Sequence, residues 1–247
     1  MVKDSKEKEK KQSKFAYFLS KKVGKAITDY KMLDNGDRIV VAVSGGKDSL
    51  TLLKILDNRR RFVPIKYELI AVHIDMGYKC IHPSILEKYL NQNGYQYHIE
   101  KVDILGNHHR EEINCFWCSW NRRKALFKIA EKLGCTKIAL GHHLDDIIQT
   151  FFLNLIFNGE ISAMNPKQEL FEGKIQLIRP LAYVQEQETE RFARENNFPT
   201  PHCRCPNADN TKRTEVAKLI EKLEKLSPQF KTNVFRSLQR IKRQYLV

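Results

Sequence analysis

A β-branched run, Ile39-Val40-Val41-Ala42-Val43, leads without a spacer into Ser44-Gly45-Gly46-Lys47-Asp48-Ser49 and then into a stretch carrying Leu50, Leu52, Leu53, Ile55 and Leu56. A short, wholly apolar run bounded by the turn Asp34-Asn35-Gly36-Asp37 on one side and glycines on the other is the pattern of a strand buried on both faces. Such a strand requires a sheet covered by helices on either side. The glycines of the following loop allow a tight turn that aims several backbone N–H groups at one point. Ser44 and Ser49 add hydroxyls, Lys47 adds a charge, and the new helix adds its positive N-terminal end. At the carboxyl end of a parallel strand this is where open α/β sheets bind nucleotide phosphates. The Walker A pattern spaces its first glycine farther from the Gly-Lys pair, so this is a phosphate loop of another kind.

The alternation continues along the chain. Apolar spacing predicts a first helix through Phe15, Leu19, Val23 and Ile27 after a polar tail over residues 1–14. Strands are expected at Glu68–Asp75, Tyr95–Asp103 and Lys137–Gly141, and helices at Pro83–Asn93, from about Trp120 to Leu133, and from Leu144 to Phe157. Residues 159–178 read as an irregular or hairpin insertion ending in a strand, Ile175–Ile178. Beyond Gln185 the pattern is helical: 185–195, 211–226, and a helix with Ser227 as N-cap and Pro228 as its first residue. The expected fold is α/β, a doubly wound parallel sheet with a helical C-terminal extension. Residues 15–205 form the main domain and 206–247 a basic helical segment.

The formal net charge is +14, from 43 Lys plus Arg against 29 Asp plus Glu. Between Lys212 and Arg243 ten basic residues face three acidic ones, so this segment alone carries +7, half of the total. So basic a surface favours a polyanionic partner, with the C-terminal helices as its nearest face. A solvated amphipathic face is the plainer reading of the same helices. The N-terminal stretch has no apolar core of a signal peptide, and no run approaches the roughly eighteen apolar residues of a membrane span. A cytoplasmic, reducing location without membrane attachment is therefore expected, where clustered cysteines signal metal or redox chemistry rather than disulfides.

Four of the six cysteines are clustered: Cys115-Phe116-Trp117-Cys118 and Cys203-Arg204-Cys205-Pro206. Two close thiols with distant partners are the arithmetic of a tetrahedral sulfur site, and spacing does not separate zinc from iron-sulfur. Cys80 and Cys135 stand alone and read as core thiols. At the start of another helix lies Gly141-His142-His143-Leu144-Asp145-Asp146. Asp145 with Asp48 suits Mg²⁺ on nucleotide phosphates, because Mg²⁺ takes one or two carboxylates and otherwise phosphate and water oxygens. Asp146 suits a helix cap. His142 and His143 shape the pocket. The base of a bound nucleotide is expected across the strand ends, read by backbone groups near Ala42, Val43, His73, Ile74 and Gly141.

The Ser44–Ser49 loop resembles the SGGxDS signature of the PP-loop ATP pyrophosphatases, whose fold is adenine nucleotide alpha hydrolase-like and which use ATP to adenylate a substrate. Together with the C-x-x-C before the basic run Arg122-Arg123-Lys124, the GHHLDD element and a late cysteine, it makes residues 35 to about 225 similar to the TtcA/TtuA family of tRNA-thiolating enzymes. The resemblance is nearest to the TtcA branch, the tRNA 2-thiocytidine synthases. It implies an ATP-dependent tRNA sulfurtransferase with ATP, Mg²⁺ and a [4Fe-4S] cluster. The cluster would be held by Cys115, Cys118 and Cys205, its fourth iron open to sulfur. The partners implied are tRNA, a sulfur donor (sulfide or a cysteine desulfurase-derived persulfide) and, as an open matter, a second copy in a homodimer. Relatives carry C-x-x-C where this chain has Cys203-Arg204-Cys205, which leaves Cys203 as the alternative ligand. Lys47, Asp145 and Arg122, four residues after the C-x-x-C, are the expected catalytic residues. The rival readings are a 2-thiouridine-forming sister enzyme, an amidating or lysidine-type PP-loop enzyme with a structural zinc, and a zinc-stapled RNA-binding module.

Overall fold

The computed structural model describes residues 13–77, 83–102, 115–199 and 212–245, with positions 115 and 116 described by backbone alone. Cys80, Cys203 and Cys205 lie outside the described residues, as do most of the predicted tail and residue 103 at the end of a predicted strand.

Among the described residues six strands form one sheet in the order β3-β2-β1-β4-β6-β5. They are β1 (Asp37–Ala42), β2 (Tyr67–Asp75), β3 (Tyr97–Lys101), β4 (Lys137–Ala139), β5 (Lys167–Leu170) and β6 (Ile175–Ile178). All neighbours run parallel except β5, which pairs antiparallel with β6 as the hairpin anticipated in the insertion. The β-branched run sits at the centre: Val41 faces Ala71 in β2 and Ala139 in β4. The chain order reverses direction at β1, between β2 and β4, which is the switch point where such sheets open a crevice.

Among the described residues eight helices accompany the sheet: α1 (Lys14–Asp29), α2 (Lys47–Arg59), α3 (Pro83–Gln92), α4 (Cys115–Lys132), α5 (Leu144–Phe157), α6 (Glu186–Glu195), α7 (Lys212–Leu226) and α8 (Phe230–Ser237). Strand alternation divides β1 between two cores. Ile39 and Val41 pack with Leu19 and Val23 of α1, Leu52 and Leu56 of α2, and Phe192 of α6. Val40 packs on the other face with Ile70, Ile138, Leu177 and with Leu126, Ile129 and Ala130 of α4. A third cluster joins Leu144, Ile147 and Ile148 of α5 to Val216 and Ile220 of α7 and Phe235 of α8. The basic C-terminal helices thus share a core with the helix that carries the GHHLDD element.

Three expected boundaries shift. Helix α4 begins at Cys115 rather than near Trp120, so the C-x-x-C lies inside its first turn and not ahead of it. Aromatic residues and cysteine are weak helix formers, so the sequence signal fades there although the helix does not. Strand β3 is confined to Tyr97–Lys101, because Gly94 and Tyr95 close the preceding turn on Asn91 and Leu90. Helix α8 begins at Phe230 with Gln229 in the cap position; Ser227 and Pro228 instead form the connection from α7. There Ser227 N–H donates to Leu223 and the Ser227 carbonyl accepts from Phe230 N–H at 2.9 Å. The fixed φ of proline serves the second position of a turn as well as a first helical position, and the short link needs the turn.

Candidate functional site

The phosphate loop, the GHHLDD loop and His73 meet at the carboxyl edge of β1, β2 and β4. The phosphate loop is held open by its own hydroxyls. Ser49 Oγ accepts from Ser44 N–H at 3.1 Å and donates to the Gly46 carbonyl at 2.9 Å, while Ser44 Oγ accepts from Gly46 N–H at 3.3 Å. Gly45 adopts φ +85°, a conformation that disfavours any side chain. Gly46 is the N-cap of α2 and supplies no capping side chain, so the first-turn amides of Lys47, Asp48 and Ser49 point out of the helix as donors. This set of amides, one ammonium and the helix end fits a polyphosphate. The described residues supply the cradle that ATP requires.

Gly141 shows how closely the acidic loop approaches this cradle. A Cβ built there would lie 3.0 Å from Ser49 N and 3.1 Å from both Asp48 C and Ser49 Cα. The GHHLDD loop is therefore laid directly on the first turn of α2. His143 caps α5, its Nδ1 accepting from Asp146 N–H at 3.4 Å while Asp146 Oδ2 accepts from His143 N–H at 3.1 Å. Asp146 thus completes a reciprocal capping box with His143. With Nδ1 accepting, the ring carries its proton on Nε2, which faces Asp48 Oδ1 at 3.9 Å. Its Nδ1 lies 3.6 Å from Asp145 Oδ2. Asp48 and Asp145 therefore flank one buried imidazole, and two carboxylates at a phosphate cradle are the donor set that suits Mg²⁺. Among the described residues no three His, Cys, Asp or Glu side chains gather as a cage for another metal.

The polar groups of this edge are paired with one another. Lys47 Nζ contacts Glu186 Oε1 at 2.8 Å and Asp48 Oδ2 at 3.4 Å. Burial works to lower the Lys47 pKa, but these two carboxylates outweigh it and hold the ammonium above its ordinary value. Asp48 Oδ1 accepts from Thr189 Oγ1 at 2.5 Å, and Asp145 Oδ2 accepts from Glu186 N–H at 2.8 Å. Asp145 Oδ1 meets Lys231 of α8 at 2.5 Å. Glu186, Thr189 and Lys231 were not legible as site residues. The only local trace was Gln185, which caps α6 with Glu188 and so fixes where that helix starts.

The expected adenine readers sit at the strand ends in unequal states. His73 is buried and donates Nδ1–H to the Val43 carbonyl at 2.8 Å, while Val43 N–H donates to Val72. Both backbone groups of Val43 are thus already engaged, and His73 is a strut that fixes the mouth of the loop. Burial pushes His73 below its ordinary pKa despite that hydrogen bond, so it stays neutral. Ala42, Ile74 and Gly141 complete the rim. Next to it, burial and the Arg179 guanidinium push His142 down to about 4. Arg179 Nε donates to His142 Nδ1 at 3.3 Å, and burial pushes Arg179 itself down to about 10.

Helix α4 brings its first turns to the same edge. Arg122 is exposed, yet its charge reaches His73, and that of Arg123 reaches Arg179. Positions 115 and 118 lie one turn apart at the start of this helix, and the Cys118 thiol is half-buried against the apolar cluster beneath. Thiols at this spacing fit either an iron-sulfur cluster or zinc. Cys205 and its alternative Cys203, which would complete the set, fall outside the described residues.

Residues 17–200 match the PP-loop domain family. The chain is 43% identical over 231 residues to the tRNA-cytidine(32) 2-sulfurtransferase of Geobacter sulfurreducens, covering 91% of this chain and 90% of that protein. It is 42% identical over 228 residues to the protein of the same name from Paracidovorax citrulli, covering 90% and 74%. Among solved structures, the U34-tRNA thiolase NcsA from Methanococcus maripaludis with its [4Fe-4S] cluster superposes with a TM-score of 0.77 at 26% identity, over 92% of this chain and 78% of that one. The chain belongs to the PP-loop family and, within it, to the tRNA-cytidine(32) 2-sulfurtransferases.

Proposed function

We propose that this protein thiolates tRNA at the expense of ATP, forming 2-thiocytidine at position 32, the position named for its relatives. The observation that carries the reading is the convergence at one sheet edge. The phosphate cradle of β1 and α2, the Asp48–His143–Asp145 group and the start of the C-x-x-C helix α4 all open there.

The chemistry follows from these residues. ATP phosphates take the amides of the loop and of the α2 N-terminus. Lys47 turns to them from Glu186, a pair exposed enough, at 25% and 43%, that the exchange costs little. Asp48 and Asp145 would hold Mg²⁺, which neutralises the phosphates. Cytidine O2 attacks the α-phosphorus, the bond to pyrophosphate breaks, and the oxygen becomes a good leaving group. Lys47 and Arg122 stabilise the charge that develops on the phosphoryl oxygens. Hydrosulfide then attacks C2, the C2–O bond breaks, AMP departs and the sulfur loses its proton. A [4Fe-4S] cluster on Cys115, Cys118 and Cys205 would supply that sulfur from an open iron. The exposed cations of α7 and α8 would grip tRNA phosphates beside the site. No helix among the described residues is long and apolar enough to cross a membrane, which suits a protein working on tRNA in the cytoplasm.

Replacing Cys205 with serine tests the assignment. Thiolation is expected to vanish while ATP binding persists; formation of thionucleoside at the normal rate would overturn the ligand set. Zinc without visible iron-sulfur absorbance in anaerobically purified protein would overturn the cluster.

A further inference from the structure

Both aspartates of the GHHLDD element are held by cations from the C-terminal helices. Arg213 of α7 reaches Asp146 at 2.8 Å and also bonds Gln149. Lys231, the second residue of α8, reaches Asp145 at 2.5 Å. The second contact is the buried one, its side chains 11% and 9% exposed, whereas Arg213 is nearly half exposed. A buried ion pair is costly to break on one side, because the remaining charge is stranded out of water. If Asp145 is to serve a nucleotide-bound cation, it must be released from Lys231 without stranding the ammonium.

The structure supplies the means. Lys231 Nζ lies 2.8 Å from Glu224 Oε2 on α7, in addition to Asp145. Burial opposes the charge of Lys231, and the two carboxylates together hold its pKa above the ordinary value. The ammonium is therefore shared between one carboxylate at the site and one outside it. When Asp145 turns to a cation, Glu224 remains as partner. Asp145 in turn keeps the Glu186 N–H on its other oxygen, which fixes the direction of the turn.

We propose that Lys231 is a positioning residue that holds Asp145 until Mg²⁺·ATP binds, and that Glu224 takes over Lys231 when Asp145 is released. The proposal rests on the reading that Asp145 serves Mg²⁺ at the phosphates. It joins a helix pair from the basic segment to the nucleotide site through a defined pair of contacts.

The test measures equilibrium binding of a non-hydrolysable ATP analogue to the full-length protein across a Mg²⁺ titration, with thermal unfolding as a check of folding. Glu224→Gln removes the receiving charge, so the half-saturating Mg²⁺ concentration is expected to rise, by about tenfold or more if the lost pair contributes as a charged hydrogen bond does. Lys231→Met frees Asp145, so the Mg²⁺ requirement falls, and Lys231→Arg lies between it and the unsubstituted protein. Because Glu224 acts only through Lys231, Glu224→Gln has no further effect in the Lys231→Met background. Glu221→Gln removes the same charge from α7 without touching Lys231 and leaves the titration in place. Equal shifts from Glu224→Gln in both backgrounds, or no shift in folded Glu224→Gln protein, overturn the hand-over alone. Should Lys231→Met fail to fold, Lys231→Gln, neutral and of similar length, carries the same comparison, with no further effect of Glu224→Gln expected. A wild-type protein whose analogue binding ignores both Mg²⁺ and Asp145→Asn overturns the underlying reading as well.

Discussion

Substitution of Gly141 by alanine separates the geometry of the site from the stability of the fold. A single added Cβ would sit 3.0 Å from Ser49 N and 3.1 Å from Asp48 C, both backbone atoms of the first turn of α2. Optimal contacts between heavy atoms lie at about 3.5–4.0 Å, so roughly half an ångström or more of separation must be found between two anchored segments. The phosphate loop is tied to β2 through Val43, and the GHHLDD loop to β6 through Leu140 N–H and the Ile178 carbonyl. Neither can move freely. Inserting a methyl group into such a contact costs about 1–3 kcal/mol. At the midpoint of that range Tm falls by about 4–8 °C for a chain of this size. The same displacement moves the α2 amides away from the phosphates, so ATP affinity falls along with Tm.

Gly94→Ala is the matched control. Gly94 has φ +68° with nothing within 4 Å of its Cβ position, so alanine there is strained by conformation alone, by about 1–2 kcal/mol. Both variants lose stability in a thermal unfolding scan, and only Gly141→Ala loses affinity in a nucleotide titration. Gly141→Ala protein that binds ATP like the unsubstituted chain would refute the claim that this contact sets the cradle.

Other expectations follow from single contacts. Lys47→Ala is expected to weaken ATP binding by about 1.5–3 kcal/mol, the value of a charged hydrogen bond, with Tm nearly unchanged because its partner Glu186 is 43% exposed; calorimetric titration and unfolding check the two halves. His73 and His142 are both held neutral, with folded pKa values below the unfolded one. The unfolded chain then binds more protons below about pH 6.5, so stability is fully present above that pH and is lost on acidification toward about 4, the folded value of His142. His142→Asn should flatten that slope in urea melts from pH 7 to 4.5, and an unchanged slope would contradict the buried-neutral assignment. Binding of tRNA should weaken linearly in log–log plots against salt, and replacing exposed Lys218 and Lys222 by alanine should lower the slope by about one per lost phosphate contact.

The sequence was most informative where local chemistry and burial agree. The run Ile39–Val43 is apolar on both faces because both faces meet helices, so its strand, its loop and the helix after it could be read without the rest of the chain. A capping role for Asp146 could be read as one alternative for the same reason, since a cap is made by neighbours. The partners Glu186, Thr189 and Lys231 were not legible, because they reach Lys47, Asp48 and Asp145 across 139, 141 and 86 positions and nothing in their own surroundings marks them. The ring of His73 is spent on the Val43 carbonyl, a contact set by the parallel register of β1 and β2 that no local pattern announces. The start of α4 lies earlier than its apolar spacing suggests, because Phe116, Trp117 and the two cysteines dilute the helical pattern. Ser227-Pro228 misled in the opposite way, having the composition of a helix start in a segment too short for anything but a turn.

The central claim is that the ATP site and the sulfur chemistry meet on tRNA cytidine. Its most direct test is mass spectrometry of nucleosides from the tRNA of cells lacking this protein and of the same cells carrying it again. Loss of 2-thiocytidine, restored by the intact chain and not by Cys205→Ser, is the expected result. Unchanged 2-thiocytidine, or loss of a thiouridine in its place, would contradict the account.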